Sequence, residues 1–110
     1  MIDLGYLRTT IGNDTDVIKE IINLFISQLP DLQKDILSSY ENKNWKAFRD
    51  AAHKAKNSFN ILGIKNTADK LRRIEILADE KTDNPEFKIL IADFLDASEM
   101  VLKEIDELVI

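Results

Sequence analysis

The only histidine of this chain, His53, is followed three positions later by a lysine, Lys56. In an α-helix, side chains with this spacing lie on one face, about one turn apart. A histidine with its ordinary pKa is partly neutral near neutral pH, and the neutral imidazole is a nucleophile. A neighbouring ammonium group can neutralise charge on the oxygens of a phosphoryl group during its transfer. The pair therefore fits reversible phosphoryl transfer to an imidazole, and a plain solvated surface histidine is the alternative that the spacing leaves open.

The residues around His53 have the apolar spacing of an amphipathic helix. Steps of three and four residues connect the apolar positions, which are Trp45, Phe48, Ala52, Ala55, Phe59 and Leu62. His53 points roughly 130° away from the centre of that face, given about 100° per residue. Its flanks are polar and consist of Lys46, Arg49, Asp50, Lys56, Asn57 and Asn60. We therefore expect a buried apolar face, aromatic residues included, and an exposed positive patch around His53, in which Arg49 either assists transfer or attracts an acidic partner.

Composition restricts the classes of protein and of site that the chain can represent. Its 110 residues include no cysteine and one histidine, which excludes disulfides, thiolate metal sites and sites with several histidine ligands. The net charge of −5 disfavours a nucleic-acid partner, and no apolar run approaches the length of a membrane span. We expect residues 1–110 to form one soluble, cytoplasmic, monomeric domain, and we expect its acidic C-terminal face to be solvated rather than to bind a metal.

Apolar segments with helical period, separated by polar turns, predict one short and four long helices. The first helix is expected over residues 2–9. The second should start at an N-cap within 13–16 and run to about 40. The other three are expected over 45–62, from 66 or 67 to 78, and over about 86–108. Pro30 should kink the second helix, Asn44 is the expected N-cap of the third, and Gly63 is its expected stop residue. The predicted fold is all-α, an antiparallel up-down-up-down four-helix bundle with a short N-terminal capping helix.

The segment from Ala51 to Gly63 resembles the signature of histidine-containing phosphotransfer (HPt) domains. The positions that match this signature are Ala52, His53, Lys56, Ser58, Leu62 and Gly63. Leu24-Phe25 with Leu29-Pro30, Asn44-Trp45 and Ile74-Glu75 also resemble pairs that the family has at similar places. Asn57 is a departure, because the family usually has glycine directly after the lysine.

The resemblance implies a relay of phosphoryl groups between His53 and the aspartate of response-regulator receiver domains, downstream of a hybrid sensor histidine kinase. His53 would be the phosphoacceptor, Lys56 would stabilise phosphoryl charge, and Mg²⁺ would belong to the receiver, so this chain needs no cofactor. Family receivers dock over the histidine helix and the helix before it. The candidate docking residues are Leu24, Gln28, Arg49, Asn57 and Asn60, with Val17 beside them. Packing of Val17 and Leu24 against the first segment is the alternative.

No Gly-rich loop or Walker-type lysine is present, so we expect a phosphocarrier without kinase activity of its own. A helical module that docks receivers without accepting a phosphoryl group is the first alternative. The dimerisation and phosphoacceptor region of a sensor kinase is the second. That region usually has a proline shortly after its histidine, whereas the next proline after His53 is Pro85.

Overall fold

A computed structural model describes residues 1–108, and this part of the chain folds into five α-helices without a strand. They are α1 (Leu4–Ile11), α2 (Thr15–Glu41), α3 (Trp45–Ile61), α4 (Lys65–Ala78) and α5 (Glu86–Glu107). The prediction of an all-helical fold with a short N-terminal helix is therefore confirmed. The last two residues of the predicted domain, 109 and 110, lie outside the described part.

Side-chain caps set most of the helix starts, because they accept hydrogen bonds from backbone amides that have no partner within the helix. Asp3 accepts from the Tyr6 amide, which places the start of α1 two residues later than predicted. Asp14 caps α2, and Asn44 caps α3 as predicted. The helix α4 has no side-chain cap and starts at Lys65, one residue before the predicted range.

The first helix differs from its predicted bounds, and the second is one helix through its proline, as predicted. The first helix, α1, extends two residues beyond its predicted end and stops before Gly12, whose φ of 111° does not continue a helix. The second helix, α2, is continuous through Pro30. A proline inside a helix removes one backbone hydrogen bond, and the apolar residues before and after Pro30 keep the same phase and bury on both sides of it.

The helices pack in chain order, and α3 lies between α2 and α4, while α5 packs against α4 and α2. The apolar face of α3 is buried as predicted at Phe48, Ala52, Ala55, Phe59 and Leu62. Trp45 is an exception, because it is only partly buried where the α2–α3 turn meets the start of α5. Its ring lies 6.2 Å from that of Phe48 and 5.7 Å from that of Phe87. The core is therefore continuous, with an aromatic cluster at one end.

Gly63 lets α1 close against the turn between α3 and α4. Its φ of 72° lies in the left-handed region, where residues with a Cβ are strained. A Cβ added here would lie 2.8 Å from the Asp3 Cβ and 3.1 Å from a Tyr6 ring carbon. The Asp3 amide donates to the Leu62 carbonyl oxygen at 3.0 Å. Glycine is therefore required both by the backbone angle and by the approach of α1.

We expect Gly63→Ala to lower the free energy of unfolding by about 1–3 kcal/mol, because it combines a strained backbone with a steric contact. Urea unfolding measures this change. Gly12→Ala is the control for backbone strain alone, because nothing lies within 4 Å of a Cβ added at Gly12. Only Gly63→Ala should also speed hydrogen exchange of the Asp3 amide, and equal exchange in the two variants would contradict the proposed contact with α1.

Candidate functional site

His53 lies in the middle of α3, on the side opposite the buried apolar face. Its side chain is 54% exposed. The neighbouring Ala52 and Ala55 are fully buried, so the backbone under the imidazole is held by core packing. The histidine is thus on a rigid element and accessible from solvent.

A carboxylate from α4, Glu75, joins His53 and Lys56. Its Oε1 lies 2.6 Å from His53 Nδ1, and its Oε2 lies 2.7 Å from Lys56 Nζ. The Lys56 Nζ is also 3.4 Å from His53 Nδ1. These three side chains are called the histidine cluster below. The lysine predicted to stand beside the imidazole is therefore on the Nδ1 side of the ring.

The partner of Nδ1 decides which ring nitrogen can act as nucleophile. An ionised carboxylate only accepts hydrogen bonds, so the proton of the neutral ring is assigned to Nδ1, which donates to Glu75. The lone pair is then on Nε2. Nε2 has no hydrogen-bond partner within residues 1–108. The cluster therefore selects the tautomer in which Nε2 is the free, nucleophilic atom.

Glu75 stays ionised in this setting. Partial burial of its carboxyl group would raise its pKa, but hydrogen bonds from Lys56 and His53 outweigh burial, so the pKa of Glu75 is lower than its ordinary 4.5. A carboxyl group with a pKa lowered by folding stabilises the fold above its ordinary pKa, and this stabilisation is lost as the pH falls through the lowered value. The histidine cluster is therefore intact at neutral pH.

Packing of α3 on α4 explains why Glu75 reaches His53. The residues before and after it on the inner face of α4, Ile74 and Ala78, are buried, which turns Glu75 toward α3 at the edge of the core. The side chains of Glu75 and Lys56 are 17% and 19% exposed. Such a partly covered ion pair is less screened by solvent than a pair on the open surface.

Two cations of the predicted positive patch on α3, Lys56 and Arg49, form ion pairs with carboxylates of α4. Besides the contact of Glu75 with Lys56, Arg49 Nη1 lies 2.9 Å from Asp79 Oδ1, and its Nη2 lies 3.6 Å from Asp50. Within residues 1–108, Arg49 makes no hydrogen bond to His53. Arg49 and His53 line one open depression of about 680 Å³. Arg72 of α4 also lines it. The sequence of one helix could not show the charges that the next helix presents to it.

The other predicted docking residues lie on the opposite side of α3 from Glu75. A groove of about 580 Å³ between α1, α2 and α3 is lined by Leu24, Gln28, Asn57 and Asn60, together with Tyr6, Ile21 and Ile61 among others. It is called the apolar groove below. Leu24 is 56% exposed, so it is not buried by α1. Val17 is also partly exposed and does not line the groove.

Two side chains that line the depression with His53, Glu75 and Arg72, are not indicated as site residues by the sequence. Glu75 falls only within a pair, Ile74-Glu75, that resembles one in the HPt family. The spacing of Leu71, Ile74 and Ala78 indicates that Glu75 borders the buried face of α4. It does not indicate which neighbouring helix Glu75 meets, so only the tertiary structure pairs it with His53.

Comparison with known proteins gives no relative: no family model, no curated protein and no solved structure matches this chain. Within residues 1–108, no group of three or more histidine, cysteine, aspartate or glutamate residues is placed to hold a metal ion. None of the five helices is long and apolar enough to cross a membrane.

We expect Glu75→Ala to change the tautomer of His53, because it removes the acceptor of the Nδ1 proton. Since the chain has one histidine, ¹⁵N labelling gives a single pair of ring-nitrogen signals. In the native protein the signals of the neutral ring should show the proton on Nδ1. In Glu75→Ala, Nε2 should carry the proton for a large part of the time.

Two further variants separate charge from hydrogen bonding. Glu75→Gln keeps an oxygen acceptor and should largely preserve the Nδ1-protonated ring. Asp79→Asn removes a carboxylate of the same helix that contacts Arg49 and should leave the signals unchanged. A ring whose tautomer is the same in Glu75→Ala as in the native protein would contradict the assignment.

Proposed function

We propose that this chain is a histidine phosphotransfer protein, which relays a phosphoryl group between His53 and the aspartate of receiver domains in a two-component phosphorelay. The observation that supports it most is the hydrogen bond between His53 Nδ1 and Glu75, with Nε2 left free on an exposed side chain. The resemblance of the segment from Ala51 to Gly63 to the HPt signature names the reaction partner, because the geometry alone fits any phosphoryl donor.

The transfer is an in-line displacement at phosphorus. His53 Nε2 attacks the phosphorus of the aspartyl phosphate, an N–P bond forms, and the P–O bond to the aspartate breaks, so that the carboxylate leaves. The Nδ1 proton stays on the ring throughout, and the phosphorylated ring therefore gains a positive charge. The Glu75 carboxylate, 2.6 Å from Nδ1, stabilises that charge. Return of the group to an aspartate reverses the same steps.

Lys56 has two successive roles in this proposal. Before transfer it donates to Glu75 at 2.7 Å and keeps that carboxylate ionised and oriented. As the phosphoryl group arrives on Nε2, rotation of the flexible lysine side chain brings its ammonium toward the new oxygens, where it offsets their negative charge. Arg72, which lines the same depression, adds a second cation.

The proposal also covers the arrangement of the helices, the cellular compartment and the partner proteins. The packing order of α2 to α5 supports an antiparallel up-down-up-down four-helix bundle, with α1 as its cap. We propose that the domain acts in the cytoplasm as a monomer and without kinase activity of its own. A hybrid sensor histidine kinase would supply the phosphoryl group, and the receiver would carry the Mg²⁺ needed for the reaction.

The apolar groove is the proposed docking site for receivers. It borders the histidine helix, and most of its lining is apolar, with Gln28, Asn57 and Asn60 among its polar lining residues. Exposed apolar side chains with polar neighbours are typical of sites that bind a partner protein. A module that only docks receivers would use the same groove and would not need His53.

We expect incubation with a receiver domain, phosphorylated beforehand by a small phosphodonor, to label this protein at His53. The label should be acid-labile and base-stable, as expected of an N–P bond, and it should be absent from His53→Gln. Phosphate-affinity electrophoresis measures it. Lys56→Ala should accept label more slowly, by about tenfold, because one charge at the transition state is lost.

The fold of His53→Gln, checked by circular dichroism, is the control for these measurements. Binding of receivers by both proteins with no label on either would favour the docking module. Failure of every receiver of the source organism to label the native protein would rule out the phosphorelay.

We expect Leu24→Ser to weaken receiver binding by about tenfold, the scale of losing one buried apolar contact at an interface. Isothermal titration measures this affinity, and stability should change little because Leu24 is 56% exposed. Ile89→Ser is the matched control, since Ile89 is 64% exposed on α5, away from the groove. Equal losses in the two variants would argue against docking in the groove.

A further inference from the structure

Four cationic side chains surround Trp45 where the α2–α3 turn meets the end of α4. They are Lys43, Lys46, Arg49 and Lys81, and with Trp45 they are called the lysine surface below. We propose that the lysine surface binds a carboxylate-rich surface of the receiver domain that exchanges phosphoryl groups with His53, and so selects among receivers. The inference rests on the proposed function and adds a docking surface separate from the apolar groove.

The charge of this surface is opposite to that of the chain. The net charge is −5, yet the depression at Trp45, of about 410 Å³, is lined by four cations and one carboxylate, Asp79. Asp79 pairs with Arg49, and Asp83 lies 2.8 Å from Lys43 Nζ. Lys46 and Lys81 make no ion pair within residues 1–108. Two ammonium groups thus stay available to an acidic partner.

Two residues at this surface have a strained backbone conformation, and both are lysines. Lys43 and Lys81, with φ of 55° and 56°, are the non-glycine residues of the described chain that have positive φ. Each follows the C-terminus of a helix, where glycine is the favoured residue because a Cβ is costly in this conformation. Strain of this kind is typically kept where the side chain has a use. That both lysines line the same depression indicates a shared use.

Trp45 lies at the centre of the lysine surface and is held in place by packing. Its indole is half-buried against Phe48 and Phe87, and Lys43 Nζ lies 5.8 Å from its ring centroid. Tryptophan is a frequent anchor residue in protein interfaces. Because it is the only tryptophan of the chain, its fluorescence also reports binding at this surface.

The lysine surface is continuous with the histidine cluster. Lys46, Arg49, His53 and Lys56 follow one another at steps of three and four residues on one face of α3. Arg49 lines both depressions. The axial rise from Lys46 to His53 is about 10 Å. A receiver seated over His53 therefore reaches the lysine surface with the edge of its own active-site face, and carboxylates on that edge would be attracted there.

The test uses Lys46→Gln combined with Lys81→Gly, a pair that removes the two unpaired charges. Glycine at position 81 relieves the backbone strain, so stability should be equal to or higher than that of the native protein, and a loss of binding cannot be ascribed to unfolding. The matched control is Lys88→Gln with Lys103→Gln. It changes the net charge equally, at exposed positions of α5, which packs on α2 and α4 rather than beside the histidine face.

Two quantities are measured with isolated receiver domains from the source organism. The first is kcat/KM for transfer from the phosphorylated receiver to His53, at low and high salt. The lysine-surface variant should lose about tenfold at low salt, through KM rather than kcat, and its dependence on salt should weaken, because charge steers association. The second is binding of the same receivers in their unphosphorylated form, followed by Trp45 fluorescence, which does not depend on transfer.

The outcomes separate this inference from the proposed function. Transfer that is equal, within about twofold, in the two double variants would overturn the role of the lysine surface and leave the phosphorelay standing. Receiver binding that is lost only in the lysine-surface variant, without any label on His53, would support the surface and overturn phosphotransfer. Absence of both binding and label would overturn both.

Discussion

The contact between α3 and α4 is the constraint on which the candidate site depends. Helix α3 packs on α4, whose Leu71 and Ile74 are fully buried, and this packing places a carboxylate of α4 within 2.6 Å of a nitrogen on α3. Without that contact His53 would be a solvated imidazole with two exchanging tautomers. With it, one carboxylate holds both the ring and the lysine, so the chemistry of the surface follows from the packing of the core beneath it.

The features that could be predicted from the sequence are those set by local periodicity and capping. The buried positions of α3 from Phe48 to Leu62 follow from their spacing, and Asn44 caps the helix because its side chain reaches the Ala47 amide. Trp45 has the same spacing but remains partly exposed, since it falls at the end of the core where the next helix covers only part of it. Periodicity therefore predicts the direction of a side chain but not where the covering element ends.

The site itself depends on contacts between residues that are distant in the chain, and the sequence alone does not predict such contacts. Glu75 is 22 residues from His53, and Asp79 is 30 residues from Arg49. A charged residue at the margin of a helix can meet either neighbouring helix or solvent, and its own sequence context is the same in each case. For this reason the sequence predicts a positive patch on α3 but not the ion pairs that Arg49 and Lys56 make with α4.

Asn57 and Glu75 lie on opposite sides of α3. The Asn57 side chain lines the apolar groove on one side of α3, and Glu75 contacts His53 from the other side. Asn57, at the position where the HPt signature that this segment resembles usually has glycine, is therefore part of the wall of the groove, and within residues 1–108 it makes no hydrogen bond to the histidine cluster. An amide at that wall can hydrogen-bond to a partner's backbone, but it also takes up space that glycine would leave empty. In the proposed relay this residue would affect which receivers fit, while Glu75 and Lys56 would govern how fast a seated receiver exchanges its phosphoryl group.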